Sequence, residues 1–267
     1  MITISPMSHV MNQEKNYTVF DSTLALFAFI ADELKQYSLM PNEQHICLSG
    51  GSTPKGLFAY ILANDYVHTI NWNQLHFWWG DERCVSEDDE QSNYGEAKRL
   101  FFNYIDIKKS HIHPITITKN DLEKNSFESS LERFMREMNE CLPQDSLLPV
   151  FDWILLGVGD DGHTASLFPD TLNLELQSPA LLVLKPETSE CRVSLSAKTI
   201  RTAKRISYLV AGESKANVMQ QIITKRTEAE SYPAALISSE CGQTNYLLDE
   251  QAGSFLQATD QKRGCCQ

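Results

Sequence analysis

The chain has 267 residues, 42 % apolar and 9 % aromatic, enough to pack a core, and 23 Lys and Arg against 35 Asp and Glu give it a formal net charge of −12. A chain this acidic, with a pI near 5.0, offers no basic face for nucleic acid or for an anionic membrane. No stretch reaches the roughly 20 apolar residues of a membrane span, and "MITISPMSHVMNQEKN" lacks the basic and apolar regions of a secretory leader.

Seven cysteines (Cys47, Cys84, Cys141, Cys191, Cys241, Cys265 and Cys266) are odd in number and never spaced C-x-x-C. Neither a disulfide framework nor a zinc site is expected from them, and reduced thiols in the cytoplasm are.

In chain order, "DSTLALFAFIADELKQY" sets Phe27, Ile30, Leu34 and Tyr37 at helical spacing behind an expected N-cap at Asp21. The apolar run "HICLS" (45–49) reads as a strand, followed by a helix opening at Pro54. The run "LHFWW" (75–79) is a second strand, with a helix expected after "SNYGEAKRLFF". "HIHP" carries His111 and His113 at a spacing that suits a metal, but no third ligand is evident, and a loop role is expected. "DLEKNSFESSLERFMREMNECL" reads as one long helix with Phe127, Leu131, Phe134 and Met138 on a core-facing stripe. "FDWILL" (151–156) and "ISYLVA" (206–211) are two further strands, the last running into a helix in "ESKANVMQQIITKR".

Strands alternating with helices predict an α/β fold, doubly wound around a mostly parallel sheet with helices on both faces, in three layers. Without a Pro/Gly/Ser linker, residues 1–267 read as a single domain, with flexible tails at about 1–16 and 260–267. A monomer or weak homo-oligomer is expected.

In such sheets ligands bind beyond the carboxyl ends of the strands, where helix N-termini aim free N–H groups inward. After the first strand come Gly50, Gly51, Ser52, Thr53 and Pro54. Glycines admit a close ligand, hydroxyls donate, and proline at the first helical position lacks only an N–H that is unneeded there, so the stretch is a credible phosphate cradle without P-loop spacing. After the second come Asp81, Glu82 and Arg83; Arg83 offers a fixed positive fork to developing negative charge.

After the third comes "GVGDDGHTAS", whose G-x-G-x-x-G spacing imitates a dinucleotide turn. Asp160 and Asp161 would put negative charge where a pyrophosphate should lie, so the glycines instead serve a tight turn presenting acids and His163. His163 has an imidazole suited to proton transfer near neutrality, with Asp161 or Asp81 available to orient it. Lys215, after the fourth strand, opens a helix, a poor place for a cation unless an anion binds there, and Arg192 in "ECRVSLS" could grip a phosphate. The chain has neither a G-x-S-x-G elbow nor H-E-x-x-H, leaving serine-hydrolase and zinc-hydrolase readings without an anchor.

With these residues assembled, nearly the whole chain resembles the 6-phosphogluconolactonases, in the superfamily that also holds the glucosamine-6-phosphate deaminases. The resemblance rests on "LSGGSTPKGLF", "FWWGDERCVSEDDEQSNYGEAKRLFF", "FDWILLGVGDDGHTASLFP", "RVSLS", "LVAGESKA", "YPAALI" and "NYLLD" in that order. It implies hydrolysis of a sugar-phosphate lactone in the oxidative pentose phosphate pathway, without metal or organic cofactor. By motif match it implies that Gly50, Gly51, Ser52, Thr53, Arg192 and Lys215 hold the phosphate. Asp81, Arg83, Asp161 and His163 would surround the lactone. The deaminases typically carry an aromatic where this chain has Arg83, and a sugar-phosphate sensor would not need the full set of Asp81, Arg83, Asp161 and His163. One departure is "SLSAKTIRTA", with Arg201 where the family usually has Asn, which puts local packing and one substrate contact in question.

Overall fold

The computed structural model describes residues 16–145, 147–186 and 188–256. The expected tail positions 1–15 and 260–267, with Cys265 and Cys266, lie outside the described residues. In chain order the strands are β1 (Tyr17–Phe20), β2 (Gln44–Leu48), β3 (Leu75–Trp79), β4 (Asp81–Arg83), β5 (Ile112–His113), β6 (Gln144–Asp145), β7 (Leu148–Pro149), β8 (Trp153–Leu156), β9 (Ala180–Leu184), β10 (Cys191–Leu195), β11 (Arg205–Val210) and β12 (Gln243–Asp249). The helices are α1 (Thr23–Tyr37), α2 (Ser52–Ala63), α3 (Tyr66–Thr69), α4 (Asn93–Leu100), α5 (Lys119–Lys124), α6 (Glu128–Cys141), α7 (Ala197–Arg201), α8 (Ala216–Ile223) and α9 (Pro233–Leu236).

Seven strands form the central sheet in the order β1-β12-β11-β8-β2-β3-β5, and every pair in it is parallel. All residues of β2 and β8 are buried, so both faces of the sheet's middle are covered, which is why these strands read as unbroken apolar runs. The core joins Ile46, Trp78, Trp153, Ile154, Ile206 and Tyr208 of the sheet to Leu26, Ile30 and Leu34 of α1. Each such aliphatic side chain contributes about 1.5–3 kcal/mol by leaving water. A second, antiparallel sheet, β4-β10-β9, stands beside the first.

The four strands expected from sequence are four adjacent strands, β11-β8-β2-β3, so their carboxyl ends share one edge. From β2 the chain runs to β3 on one side, while β8 leads to β11 on the other, so the winding reverses between β2 and β8 and opens a crevice there.

Four local expectations need correction. The N-cap of α1 is Ser22, not Asp21: its backbone is extended and its hydroxyl accepts from the Ala25 N–H at 3.1 Å. The helix expected after "SNYGEAKRLFF" lies within it as α4, because Ser92 caps it by accepting from the Gly95 N–H at 2.9 Å. The expected long helix is two, α5 and α6, broken where Asn125 turns left-handed at φ 48° and closes α5. Pro54 is the third rather than the first residue of α2, still within the turn whose N–H groups have no helical acceptor.

Candidate active site

Two adjoining compartments occupy the crevice. The first, about 210 Å³, is lined by Gly50, Gly51, Ser52, Thr53 and Pro54 after β2, by Gly157 and Val158 after β8, and by Ser214 and Lys215 after β11. The second, about 230 Å³, is lined by Asp81, Arg83, Asn93, His163, Thr164 and Arg192. Gly50, Gly51 and Lys215 line both.

The first compartment is the mouth of α2. Gly51 caps that helix at φ +103°, a left-handed setting that favours glycine, and a Cβ on Gly50 would stand 1.9 Å from Asn93 Oδ1. The first turn of α2, whose N–H groups lack helical acceptors, therefore borders the cavity. Lys215 is the last residue of the short turn Glu213–Lys215 and opens α8; its Nζ meets Asp160 Oδ1 at 2.6 Å.

Strand alternation builds the second compartment. In β4, Asp81 and Arg83 point to one face and Glu82 to the other. Register places Arg192 of β10 opposite Arg83, and Ser194 opposite Asp81. Like charges directly opposed on neighbouring strands repel. Arg192 is 8 % exposed and pairs with Glu190 at 2.7 Å, and Arg83 donates to the Gln91 carbonyl at 2.6 Å, yet the buried Nε of each arginine has no partner. Two unsatisfied guanidinium N–H groups in register, with Lys215 alongside, form a cationic pocket in an acidic chain.

Glu82, on the hidden face, is a strut. Its carboxylate accepts from the backbone N–H groups of Arg83 (2.8 Å), Asn93 (2.8 Å) and Tyr94 (2.9 Å) and from the Ser92 hydroxyl (3.1 Å), tying β4 to the start of α4. Burial pushes its pKa up to about 7, against the downward pull of those N–H donors.

The turn after β8 explains its glycines. Gly159 N–H donates to the His163 carbonyl at 2.8 Å, Gly162 adopts φ +80°, and the Thr164 hydroxyl donates to the Gly157 carbonyl at 2.8 Å. A Cβ on Gly159 would stand 2.1 Å from His163 Nδ1 and 2.6 Å from Asp161 Oδ1. That bare space lets Asp161 fold back: its Oδ1 meets His163 Nδ1 at 2.5 Å and accepts the His163 backbone N–H at 3.1 Å. Burial would raise the Asp161 pKa, but the His163 N–H and the nearby imidazole outweigh it and hold the carboxyl below its ordinary value. An ionised Asp161 fixes the proton on Nδ1 and leaves Nε2 as an acceptor, the tautomer a general base requires.

Of Asp161 and Asp81, it is Asp161 that contacts the His163 ring. The Asp81 carboxylate instead accepts the Ser166 hydroxyl at 2.6 Å, and Ser166 N–H donates to Ser194 Oγ at 3.2 Å. Of the residues the resemblance assigns to the phosphate and the lactone, only Asp161 lines neither compartment; it stands behind His163. Arg201 pairs with Glu240 at 2.7 Å and lines neither compartment, so the departure from the family pattern there does not touch the crevice. Sequence reasoning missed Asn93, whose Nδ2 donates to the Asp81 carbonyl at 2.9 Å, as well as Ser166 and Glu82. Only Glu82 left a signal, a charge alternating between two pocket residues.

A parallel sheet of this order with a crevice at its winding reversal defines a doubly wound α/β protein. Residues 21–246 match the family described as glucosamine-6-phosphate isomerases/6-phosphogluconolactonase, and the chain belongs to that family. It is 44 % identical over 241 residues to the 6-phosphogluconolactonase of Haemophilus influenzae, a match covering 90 % of this chain and 100 % of that relative. The crystal structure of a protein called devB superposes with a TM-score of 0.84 at 45 % identity, covering 90 % of this chain and 98 % of the other. The 6-phosphogluconolactonase of Trypanosoma cruzi gives 0.75 at 25 % identity, covering 94 % and 99 %.

Proposed function

We propose that the chain hydrolyses 6-phospho-D-glucono-1,5-lactone to 6-phospho-D-gluconate, the lactone-opening step of the oxidative pentose phosphate pathway. The observation that carries this reading is the His163–Asp161 pair on the wall of a pocket where Arg83 and Arg192 face each other in register. The reading draws further support from the relatives' activity.

The substrate's phosphate sits at the junction of the two compartments, held by the N–H groups of Gly50 and Gly51, the hydroxyls of Ser52 and Thr53, and the cations of Lys215 and Arg192. The lactone ring then lies against Asp81, Arg83 and His163. A lactone is an activated ester, so water suffices as nucleophile: His163 Nε2 takes a water proton as the oxygen bonds to C1, worth roughly 10²–10⁴-fold. Charge collects on the former carbonyl oxygen, where the Arg83 guanidinium supplies roughly another 10²–10³-fold. The oxyanion collapses, the C1–O5 bond breaks, and O5 takes the proton back from the imidazolium. Asp161 stabilises that imidazolium throughout. No step calls on a metal or an organic cofactor.

None of the described helices is long and apolar enough to cross a membrane. This reading places the enzyme in the cytoplasm, where the free thiols of Cys47, Cys84, Cys141, Cys191 and Cys241 stay reduced. The test is lactone hydrolysis by the purified, chelator-treated protein in mildly acidic buffer, with glucosamine-6-phosphate in parallel. Rapid lactone loss without ammonia release is the expected result. Ammonia without lactone loss would make the chain a deaminase, and binding without turnover a sensor.

A further inference from the structure

At the opposite, amino-terminal end of the strands, four residues from three separate segments meet. Glu43 precedes β2, His76 is the second residue of β3, and His111, with His113 of β5, comes from the edge of the sheet. Glu43, His76 and His111 each bring one ligand atom into a group whose members lie within 4.8 Å of one another. Glu43 Oε2 is 3.1 Å from His76 Nε2, and Glu43 Oε1 is 3.9 Å from His111 Nε2.

Hydrogen-bond bookkeeping gives this group a direction. Glu137 Oε1 lies 2.7 Å from His113 Nδ1, and His113 Nε2 lies 2.9 Å from His76 Nδ1. With Glu137 ionised, His113 donates from Nδ1 and accepts at Nε2, so His76 donates from Nδ1 and carries its lone pair on Nε2. That lone pair faces a carboxylate oxygen at 3.1 Å. Two acceptors at such a distance need a cation between them, either a proton or a metal ion. A second nitrogen waits beside them, His111 Nε2; that residue is 5 % exposed, and its other nitrogen, Nδ1, has no hydrogen-bond partner.

We propose that Glu43, His76 and His111 bind a divalent transition-metal ion of the zinc class. Two imidazoles and one carboxylate, with a position left open toward solvent, suit such an ion. Ligand atoms around tetrahedral zinc stand roughly 3.3 Å apart, as bond lengths near 2.0–2.1 Å require. The Glu43–His76 pair already has that spacing, and the half-exposed Glu43 side chain is free to close the longer gap. The His111 ring stacks on His76 at 4.0 Å between centroids and must turn so that both lone pairs meet one ion. Turning costs the ring its polar contact with the Leu75 backbone, while Nδ1 itself has no partner to lose. His113 and Glu137 form the outer relay that fixes the His76 tautomer, the usual support for a metal-bound imidazole. His45 is not a ligand through Nδ1, which accepts the Trp78 indole N–H at 3.1 Å.

The site lies a strand's length from Asp81 and Arg83, so its effect is structural. β5 pairs with β3 through only two register positions, and an ion would staple this short edge strand to β3 and to the start of β2.

The test titrates the chelator-treated full chain with Co²⁺, followed by visible absorption and by competition with Zn²⁺. One equivalent of Co²⁺ is expected at micromolar concentration, with ligand-field bands but no thiolate charge-transfer band, displaced by Zn²⁺. Zn²⁺ should raise the thermal midpoint of the wild-type chain. Glu43→Gln, on an exposed residue, and His111→Asn should each weaken binding at least about 10-fold, and Glu137→Gln by about 10-fold through the relay. Glu43→Gln should leave lactone turnover unchanged. Absence of stoichiometric binding, binding with a thiolate band, or equally tight binding by Glu43→Gln would each overturn the proposal; near-ultraviolet circular dichroism checks that His111→Asn is folded.

Discussion

Asp161→Asn isolates the orienting role of the carboxylate with almost no change of shape. The contact at stake is the 2.5 Å approach of Oδ1 to His163 Nδ1, reinforced by the backbone N–H at 3.1 Å. A hydrogen bond to a charged group contributes about 1.5–3 kcal/mol. The Asp161 side chain is 53 % exposed, so solvent screening puts the pair at the low end, about 1.5 kcal/mol, or roughly ten-fold in rate. The loss grows if the new amide turns its NH₂ toward the ring, because Nδ1 then accepts, the proton moves to Nε2, and the base is lost. Asp161 lines neither compartment, so KM should hardly move while kcat falls about ten-fold or more. Initial rates on freshly generated lactone, corrected for spontaneous opening, measure both constants. His163→Ala should cost roughly 10²-fold or more, and adding Asp161→Asn to it should cost nothing further. Wild-type kcat in Asp161→Asn, or an additive loss in the double variant, would refute the orienting role.

Gly159→Ala should also lower kcat, since its methyl would stand 2.1 Å from His163 Nδ1; near-native thermal stability with unchanged turnover would show that the loop rearranges freely. Lys215→Ala should weaken competitive inhibition by 6-phosphogluconate and reduce kcat as well as affinity, because remote phosphate binding positions the ring; unchanged inhibition constants would remove Lys215 from the phosphate site. Asp160→Asn should act oppositely, tightening that inhibition severalfold by freeing Lys215 of its 2.6 Å partner. Asp121 reports on acid stability. Burial alone would raise its pKa, but Ser129, Thr118 and Arg133 hold it far below the ordinary 3.8, so its contribution is fully present above that value and is lost progressively as pH falls from there toward the lower folded-state pKa. Asp121→Asn should therefore lower the melting temperature near neutrality, with the gap closing below about pH 4; a gap independent of pH would refute the assignment.

The sheet was legible because its central strands are covered on both faces and must be apolar throughout. The four loops followed from it, since parallel neighbours deliver their carboxyl ends to one edge. What escaped was set by single backbone conformations or by contacts between distant segments. Asn125 in the left-handed region divides a stretch whose apolar stripe runs on from Phe127 to Met138, and periodicity cannot register one residue's φ. Ser166 reaches Asp81 across 85 positions, and Glu43 and His76 meet His111 only because β2, β3 and β5 are neighbours. The orienter of His163 was undecided between Asp161 and Asp81 because the choice turns on a two-residue reversal that only Gly159 leaves room for.

The electrostatics of the crevice reconcile an acidic chain with an anionic substrate. Overall charge of −12 repels phosphate at long range, but at physiological salt that repulsion is screened within about 8 Å. Recognition therefore falls to local cations: Arg83 and Arg192 held in register with an Nε–H unsatisfied on each, and Lys215 between the two compartments. Hydrolysis then changes the balance within the pocket. The lactone carries charge only on its phosphate, whereas the product carries a new carboxylate, formed where Asp81 and the Asp161 behind His163 already place negative charge. The phosphate interactions are the same before and after ring opening, so any difference in affinity between lactone and acid arises at the reacting end, where Arg83 attracts the new carboxylate and Asp81 and Asp161 repel it. On the proposed reading, the balance between Arg83 and these two acids, not the phosphate site, sets how tightly the product is held relative to the substrate.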